Sequence, residues 1–206
     1  MILQPNDVIL GVDLGGSTTK IAGFYNSGER IGALRVVASD RITSLYGAIG
    51  SMLSLRAIPL DCVRRIVLTG AGAAQVRGDI YGIPTFRANE FDSIGIGGLS
   101  LSCKDSALVV SMGTGTAFVR ATKDENVHIG GSGVGGGTLL GLAWHLFHET
   151  DYDDLTNLAR DGDLSRVDLS VADICESNIG TLPSHITASN FGKLRSDCTK
   201  ADISLG

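Results

Sequence analysis

Residues 8–24, VILGVDLGGSTTKIAGF, constrain the fold more than any other stretch. An apolar run enters a turn of glycines and hydroxyls, and a second apolar run returns from it. Val8, Ile9, Leu10 and Val12 are the β-branched and aliphatic residues of a buried strand. The turn sets Gly15 and Gly16 beside Ser17, Thr18 and Thr19. Glycine takes positive φ and lets successive backbone N–H groups approach an anion closely, which is the geometry of phosphate-binding nests. Asp13 ends the strand, where a carboxylate can hold Mg²⁺ through water, and Lys20 adds a cation at the same turn. A tight hairpin whose polar residues only face solvent satisfies the same pattern.

Residues 107–120, ALVVSMGTGTAFVR, repeat this grammar: an apolar strand, a Gly/Thr turn at 113–116, and a return through Ala117, Phe118 and Val119. Two phosphate-type hairpins, one opening each half of the chain, predict a duplicated fold with a nucleotide clamped between the halves.

Composition narrows the class. The chain of 206 residues is 43% hydrophobic, enough for one large or two small domains with a substantial core. Its 28 glycines cluster at the candidate ligand turns and form no low-complexity tract. A net charge of −5 and the lack of any Lys/Arg run argue against a nucleic-acid partner. A phosphate ligand is therefore expected to rest on backbone N–H groups, a metal and one or two cations. Cys62, Cys103, Cys175 and Cys198 are widely spaced, with no C-x-x-C pair, and read as reduced thiols. With no basic n-region before an apolar core and no apolar run of about 18 residues, the expectation is a cytoplasmic chain with no membrane contact.

In order, residues 30–39 read as a third strand completing an antiparallel meander. Residues 42–55 have helical spacing, 65–69 form a short apolar strand ending in Gly70, Ala71 and Gly72, a turn that could again lie beside a ligand, and 73–80 form a weak helix. A strand at 85–88 leads to a glycine-containing helix ending near residue 102. The second half has its hairpin, a strand at 127–129, the run GGSGVGGG at 130–137, and helices at 138–149 and 153–159. Beyond these no run resembles 65–69. The expected domains are 1–104 and 105–206, with mixed sheets and helices packed on them and the second half incomplete.

Taken together, GVDLGGSTTKIAGF, LTGAGA, NEFDSIGIGG, SMGTGT, HIGGSGVGGGTLLGL, TDYDDLTNLARDGD and ITASNFG resemble, in order and spacing, the type II pantothenate kinases. That family belongs to the superfamily of actin, heat-shock chaperones and sugar kinases. The resemblance implies an α/β, duplicated ribonuclease H-like (actin-like ATPase) fold. It implies ATP and Mg²⁺ as cofactors and phosphorylation of pantothenate to 4'-phosphopantothenate, the first step of coenzyme A biosynthesis. A homodimer is implied for the complete family member. Carried over by position, Asp13, Leu14, Gly15, Gly16, Ser17, Thr18, Thr19 and Lys20 match the first ATP-phosphate segment, and Thr114 matches the second-hairpin threonine. Gly136, Gly137, Thr138, Leu139 and Leu140 match the glycine-rich phosphate loop, and Tyr152 matches an aromatic residue near the nucleotide. Asp13 would hold the metal through water.

Glu90 stands where the family has its catalytic base, and a carboxylate within hydrogen-bond reach of a primary alcohol can accept its proton during attack. From spacing alone Glu90 is equally a helix N-terminal residue favoured by the macrodipole. Asp92 is the second candidate. Two features depart from the family pattern. His128 stands where characterised members tend to carry an arginine on the pantothenate side, and histidine lacks that fixed five-donor fork. The resemblance also stops after Gly192, so the chain alone is expected to leave the apolar side of 138–149 partly uncovered, to bind a hydrophobic dye and to turn over little. Three other readings stay open. They are a sugar-type kinase, a non-catalytic nucleotide-binding module, and a dinucleotide site, since Gly131, Gly133 and Gly136 fit G-x-G-x-x-G. The last needs a following strand with an acidic residue, where this chain reads as helix.

Overall fold

The computed structural model describes residues 4–37, 40–175 and 182–206. The chain divides into two compact units, Met1–Gly135 and Gly136–Gly206.

The first unit opens with β1 (Val8–Leu14), β2 (Thr18–Tyr25) and β3 (Arg30–Val37), an antiparallel meander. Residues 38 and 39 of the expected third strand lie outside the described residues. Helix α1 (Arg41–Leu55) follows, with Asp40 accepting a hydrogen bond from the Thr43 N–H as its N-cap. Next come β4 (Val63–Thr69) and β5 (Thr85–Arg87), both parallel to β1, giving a five-stranded sheet of order β3-β2-β1-β4-β5. Strand alternation decides the faces: Val8, Leu10, Val12 and Leu14 point to one side, with Ile66 and Leu68 of β4. Against them α1 brings Leu45, Ala48, Ile49 and Met52, and these residues make one core. Asp13 and Thr69 are left on the opposite face.

The expected helix at 73–80 does not form. A single 3₁₀ turn, Ala73–Gln75, gives way to extended backbone at Val76, and Gly78 is left-handed at φ +70°. The Arg87 guanidinium donates to the carbonyls of Ala73 and Val76, acceptors that a continuing helix would use itself. In this extended path Val76, Ile80 and Ile83 still reach the core.

Helix α2 (Glu90–Ser102) leads to a second antiparallel sheet, β6 (Ser106–Met112), β7 (Thr116–Thr122) and β8 (Asn126–Ser132). Glycines let α2 lie close on this sheet. A Cβ at Gly98 would meet Val109 Cγ2 at 2.5 Å, and one at Gly95 would meet Asn126 Oδ1 at 2.0 Å. Val119 and Ala121 are buried, while Leu108, Val110 and Met112, on alternate positions of β6, are exposed. Strand β8 is longer than the 127–129 expected and absorbs the first glycines of the 130–137 run.

The second unit holds α3 (Gly136–Phe147), α4 (Tyr152–Ala159), β9 (Leu169–Ser170), α5 (Val171–Ile174), β10 (Thr187–Ser189) and α6 (Lys200–Leu205). Helix α3 begins and ends two residues earlier than expected, and His148, left-handed at φ 61°, follows its end. Of its side chains Ala143 is buried, while Leu139, Leu142, Trp144 and Leu146 are exposed. Buried polar groups organise the rest. Asp168 accepts from the Thr187 hydroxyl and the Phe191 N–H, each at 3.0 Å. Asp202 accepts from the N–H groups of Thr199 and Asp163 and faces Arg166, and these bonds, with Thr199 first, hold its carboxyl below the usual carboxylate range. Among the described residues this unit has no strand as long as β4; β9 and β10 have two and three residues.

Candidate nucleotide site

The site builds from the end of β1. Strand register places Asp13 opposite Lys20 on β2 and beside Thr69 on β4. Lys20 Nζ meets Asp13 Oδ2 at 2.9 Å, and with side chains 51% and 33% exposed the pair adds little to stability. It sets charge at the mouth of the turn instead. The other carboxylate oxygen, Oδ1, faces Gly70. A Cβ on Gly70 would lie 2.4 Å from Oδ1 and 2.7 Å from the Leu14 carbonyl, and this residue is left-handed at φ +85°. The same Leu14 carbonyl accepts from the Gly72 N–H at 2.9 Å, which fastens the 70–72 turn to the end of β1. The Thr69 hydroxyl is buried and has no hydrogen-bond partner among the described residues. Leaving such a group unsatisfied costs about 1–3 kcal/mol.

The first turn is closed by the Gly15 N–H donating to the Thr18 carbonyl at 3.1 Å. Ser17 Oγ lies 3.0 Å from Thr114 Oγ1, and a Cβ at Gly16 would stand 3.3 Å from that same oxygen. The two glycine-rich turns therefore meet, although 97 residues separate them in sequence. Behind Thr114, a Cβ at Gly135 would fall 2.6 Å from the Thr114 carbonyl, and the Thr116 hydroxyl donates to the Val134 carbonyl at 2.8 Å. The glycines following β8 thus back the second turn.

Asp13, Gly16, Ser17, Lys20 and Thr114 are brought together in this way. Leu14 and Thr19 are fully buried, so they can meet a ligand at this turn only through their backbone. Glu90 is the first residue of α2, capped by Asn89, whose side-chain oxygen accepts from the N–H groups of Phe91 and Asp92. The Glu90 carboxylate is exposed and makes no hydrogen bond or ion pair with the described residues. Its neighbours are tied to β8: the His128 ring stacks on Phe91 with centroids 4.1 Å apart, and Asn126 Nδ2 approaches Asp92 Oδ1 at 3.5 Å. In the second unit, Gly136, Gly137, Thr138, Leu139 and Leu140 form the first turns of α3. Tyr152, half exposed, opens α4 behind its Asp151 cap.

The 70–72 turn, expected from sequence to lie beside a ligand, packs on the end of β1, and Thr69 beside it is a residue that sequence reasoning did not single out. The stacking of His128 on Phe91 had no signal in sequence.

No group of three or more His, Cys, Asp or Glu side chains is placed to hold a metal among the described residues. Mg²⁺ in phosphoryl-transfer sites is usually held by one or two carboxylates, waters and the substrate phosphates. Asp13 fits that requirement, since Oδ1 is outside the Lys20 pair and lies on the same sheet face as the orphaned Thr69 hydroxyl.

Comparison with known proteins agrees with these motifs. The profile of the family described as Fumble matches residues 106–204. A type II pantothenate kinase of Staphylococcus epidermidis is 28% identical over 191 residues, covering 90% of this chain and 67% of that protein. One of Bacillus thuringiensis is 27% identical over 205 residues, covering 94% and 70%. The chain is similar to the type II pantothenate kinases. It spans about two thirds of the length of these kinases. Solved structures show the fold. Component A of the Acidaminococcus fermentans (R)-2-hydroxyglutaryl-CoA dehydratase aligns with TM-score 0.60 at 14% identity, covering 82% of this chain and 63% of that one. The activator of the Clostridium difficile 2-hydroxyisocaproyl-CoA dehydratase, solved with bound ADPNP, aligns with TM-score 0.60 at 11% identity, covering 82% and 61%. The α/β, mixed-sheet fold of the actin-like ATPases expected from the sequence is the one observed. No helix of the described residues is long and apolar enough to cross a membrane.

Proposed function

We propose that the chain is an ATP-dependent kinase that phosphorylates the primary hydroxyl of pantothenate, giving 4'-phosphopantothenate at the start of coenzyme A biosynthesis. The observation that carries this reading is the meeting of the two glycine-rich turns through Ser17 and Thr114, with Asp13 and Lys20 beside them. Backbone N–H groups of the turn from Gly16 to Thr18, with the Thr114 hydroxyl, receive phosphate oxygens, and Lys20 supplies the positive charge. Asp13 would hold Mg²⁺ through water, and an ion there would supply charge neutralisation for the phosphates. Gly136, Gly137, Thr138, Leu139 and Leu140 are carried over as phosphate contacts and Tyr152 as a nucleotide-side aromatic.

Glu90 acts as the general base. It is exposed and uncommitted at the α2 N-terminus, and the Asn89 cap and the Phe91–His128 stack fix the backbone on which it sits. A second reading, a sugar or another small alcohol as acceptor, is favoured by His128. Its ring is engaged with Phe91 and offers no bidentate guanidinium to a carboxylate.

Transfer of label from γ-labelled ATP, assayed with pantothenate and a panel of sugars in parallel, separates the two. Labelled pantothenate should exceed every labelled sugar. A preferred sugar would replace pantothenate as the acceptor, and a chain that binds Mg·ATP but labels no alcohol would favour a binding module.

A further inference from the structure

Three buried side-chain atoms lack a hydrogen-bond partner among the described residues: Thr19 Oγ1, Thr69 Oγ1 and Asn126 Oδ1. Thr19 belongs to the buried face of β2, and Asn126 Oδ1 sits against Gly95, where a Cβ would meet it at 2.0 Å. Thr69 differs from both, because the parallel register of β1 and β4 sets it directly beside a carboxylate, that of Asp13. The pairing is same-sided. Leu10, Val12 and Leu14 share the buried face with Ile66 and Leu68, so Asp13 and Thr69, one residue out of phase, share the other.

The two oxygens of Asp13 have different surroundings. Oδ2 is taken by Lys20 Nζ at 2.9 Å, whereas Oδ1 faces Gly70, the residue that follows Thr69, and there a side chain would collide with it at 2.4 Å. Space beside Oδ1 is thus kept by a left-handed glycine. An orphaned hydroxyl stands on the neighbouring strand at the same level.

We propose that Thr69 is a positioning residue for Asp13: its hydroxyl donates to Oδ1 when Lys20 leaves Oδ2 to meet the nucleotide phosphates, and so keeps the carboxylate aimed at the hydrated cation. The inference rests on the reading of Asp13 given under the proposed function. Lys20 cannot neutralise Asp13 and a phosphate oxygen equally well from one ammonium group. As it turns toward the phosphates, Asp13 exchanges an ion pair for the cation's water shell and needs a second holder to fix its rotamer. Thr69 is the hydroxyl in register to provide it, at the cost of remaining unpaired while Lys20 holds the carboxylate.

The test uses the whole chain, Mn²⁺ followed by electron paramagnetic resonance, and a non-hydrolysable ATP analogue, so that no turnover is required. Thr69→Val removes the hydroxyl at nearly constant shape, and Thr69→Ser keeps it. Mn²⁺ affinity in the presence of the analogue should fall about tenfold or more in Thr69→Val, the scale of one hydrogen bond to a charged group, and stay near wild type in Thr69→Ser. The urea midpoint of Thr69→Val should equal or exceed that of wild type, because an unsatisfied buried hydroxyl has been replaced by a methyl group. Unchanged Mn²⁺ affinity in Thr69→Val overturns the proposal, as does an affinity loss matched by a lowered urea midpoint in both variants, which is a packing effect. Absence of Mn²⁺ and analogue binding in the wild-type chain would instead overturn the nucleotide reading, and this inference with it.

Discussion

Replacing Glu90 by glutamine should lower kcat by about 10²-fold or more while leaving ATP affinity near its wild-type value. Glutamine keeps the length and shape of the side chain, and Glu90 makes no hydrogen bond or ion pair with the described residues, so α2 loses no contact on substitution. Its N-cap is independent of position 90, since Asn89 bonds the N–H groups of Phe91 and Asp92. What disappears is the acceptor for the alcohol's proton. Steady-state kinetics with a chain that turns over measurably, alongside calorimetry with ATP, checks both halves of the expectation. Near-normal kcat would shift the role to Asp92, whose carboxylate lies 3.5 Å from Asn126 Nδ2.

Gly70→Ala should damage both fold and ligand binding. The left-handed backbone, at φ +85°, costs an L-residue about 1–2 kcal/mol. The added methyl group would also stand 2.4 Å from Asp13 Oδ1 and 2.7 Å from the Leu14 carbonyl, and the second contact is with backbone. To relieve it, the 70–72 turn must leave the end of β1, losing the Gly72 to Leu14 hydrogen bond. A total loss of about 2 kcal/mol or more is expected in urea unfolding, with Mg·ATP binding weakened through Asp13. An alanine variant with wild-type stability and affinity would mean that the turn is not held as described.

Sequence reasoning was strongest where one period dominates. The apolar run Val8, Ile9, Leu10 and Val12 announced a strand, of which the structure buries Val8, Leu10, Val12 and Leu14 on one face, and the apolar spacing of 42–55 announced a helix, because burial rewards both patterns directly. It failed at 73–80, where helix-compatible residues are overruled by a tertiary contact: Arg87, from a strand edge further along the chain, takes the carbonyls of Ala73 and Val76. The site was legible for the same kind of reason. Glycine and hydroxyl residues at 13–20 and 113–116 have a local explanation, and their repetition predicted two turns serving one ligand. That Ser17 and Thr114 touch, that Gly70 makes room for Asp13, and that Phe91 holds His128 are long-range facts with no local pattern to announce them. Thr69 was read as the end of an apolar strand, and register, which a single sequence does not display, sets it beside Asp13.

Calorimetric titration of the chain with ATP, in the presence and absence of Mg²⁺, asks most directly whether the two meeting turns hold a nucleotide. Saturable binding that requires Mg²⁺ is predicted, with no comparable binding of NADH. Asp13→Ala should abolish the Mg²⁺-dependent binding with the fold retained, since Asp13 lies outside the buried core and its ion pair with Lys20 is partly exposed. A chain that binds no adenine nucleotide, or an Asp13→Ala variant whose Mg·ATP affinity matches wild type, would contradict the assignment.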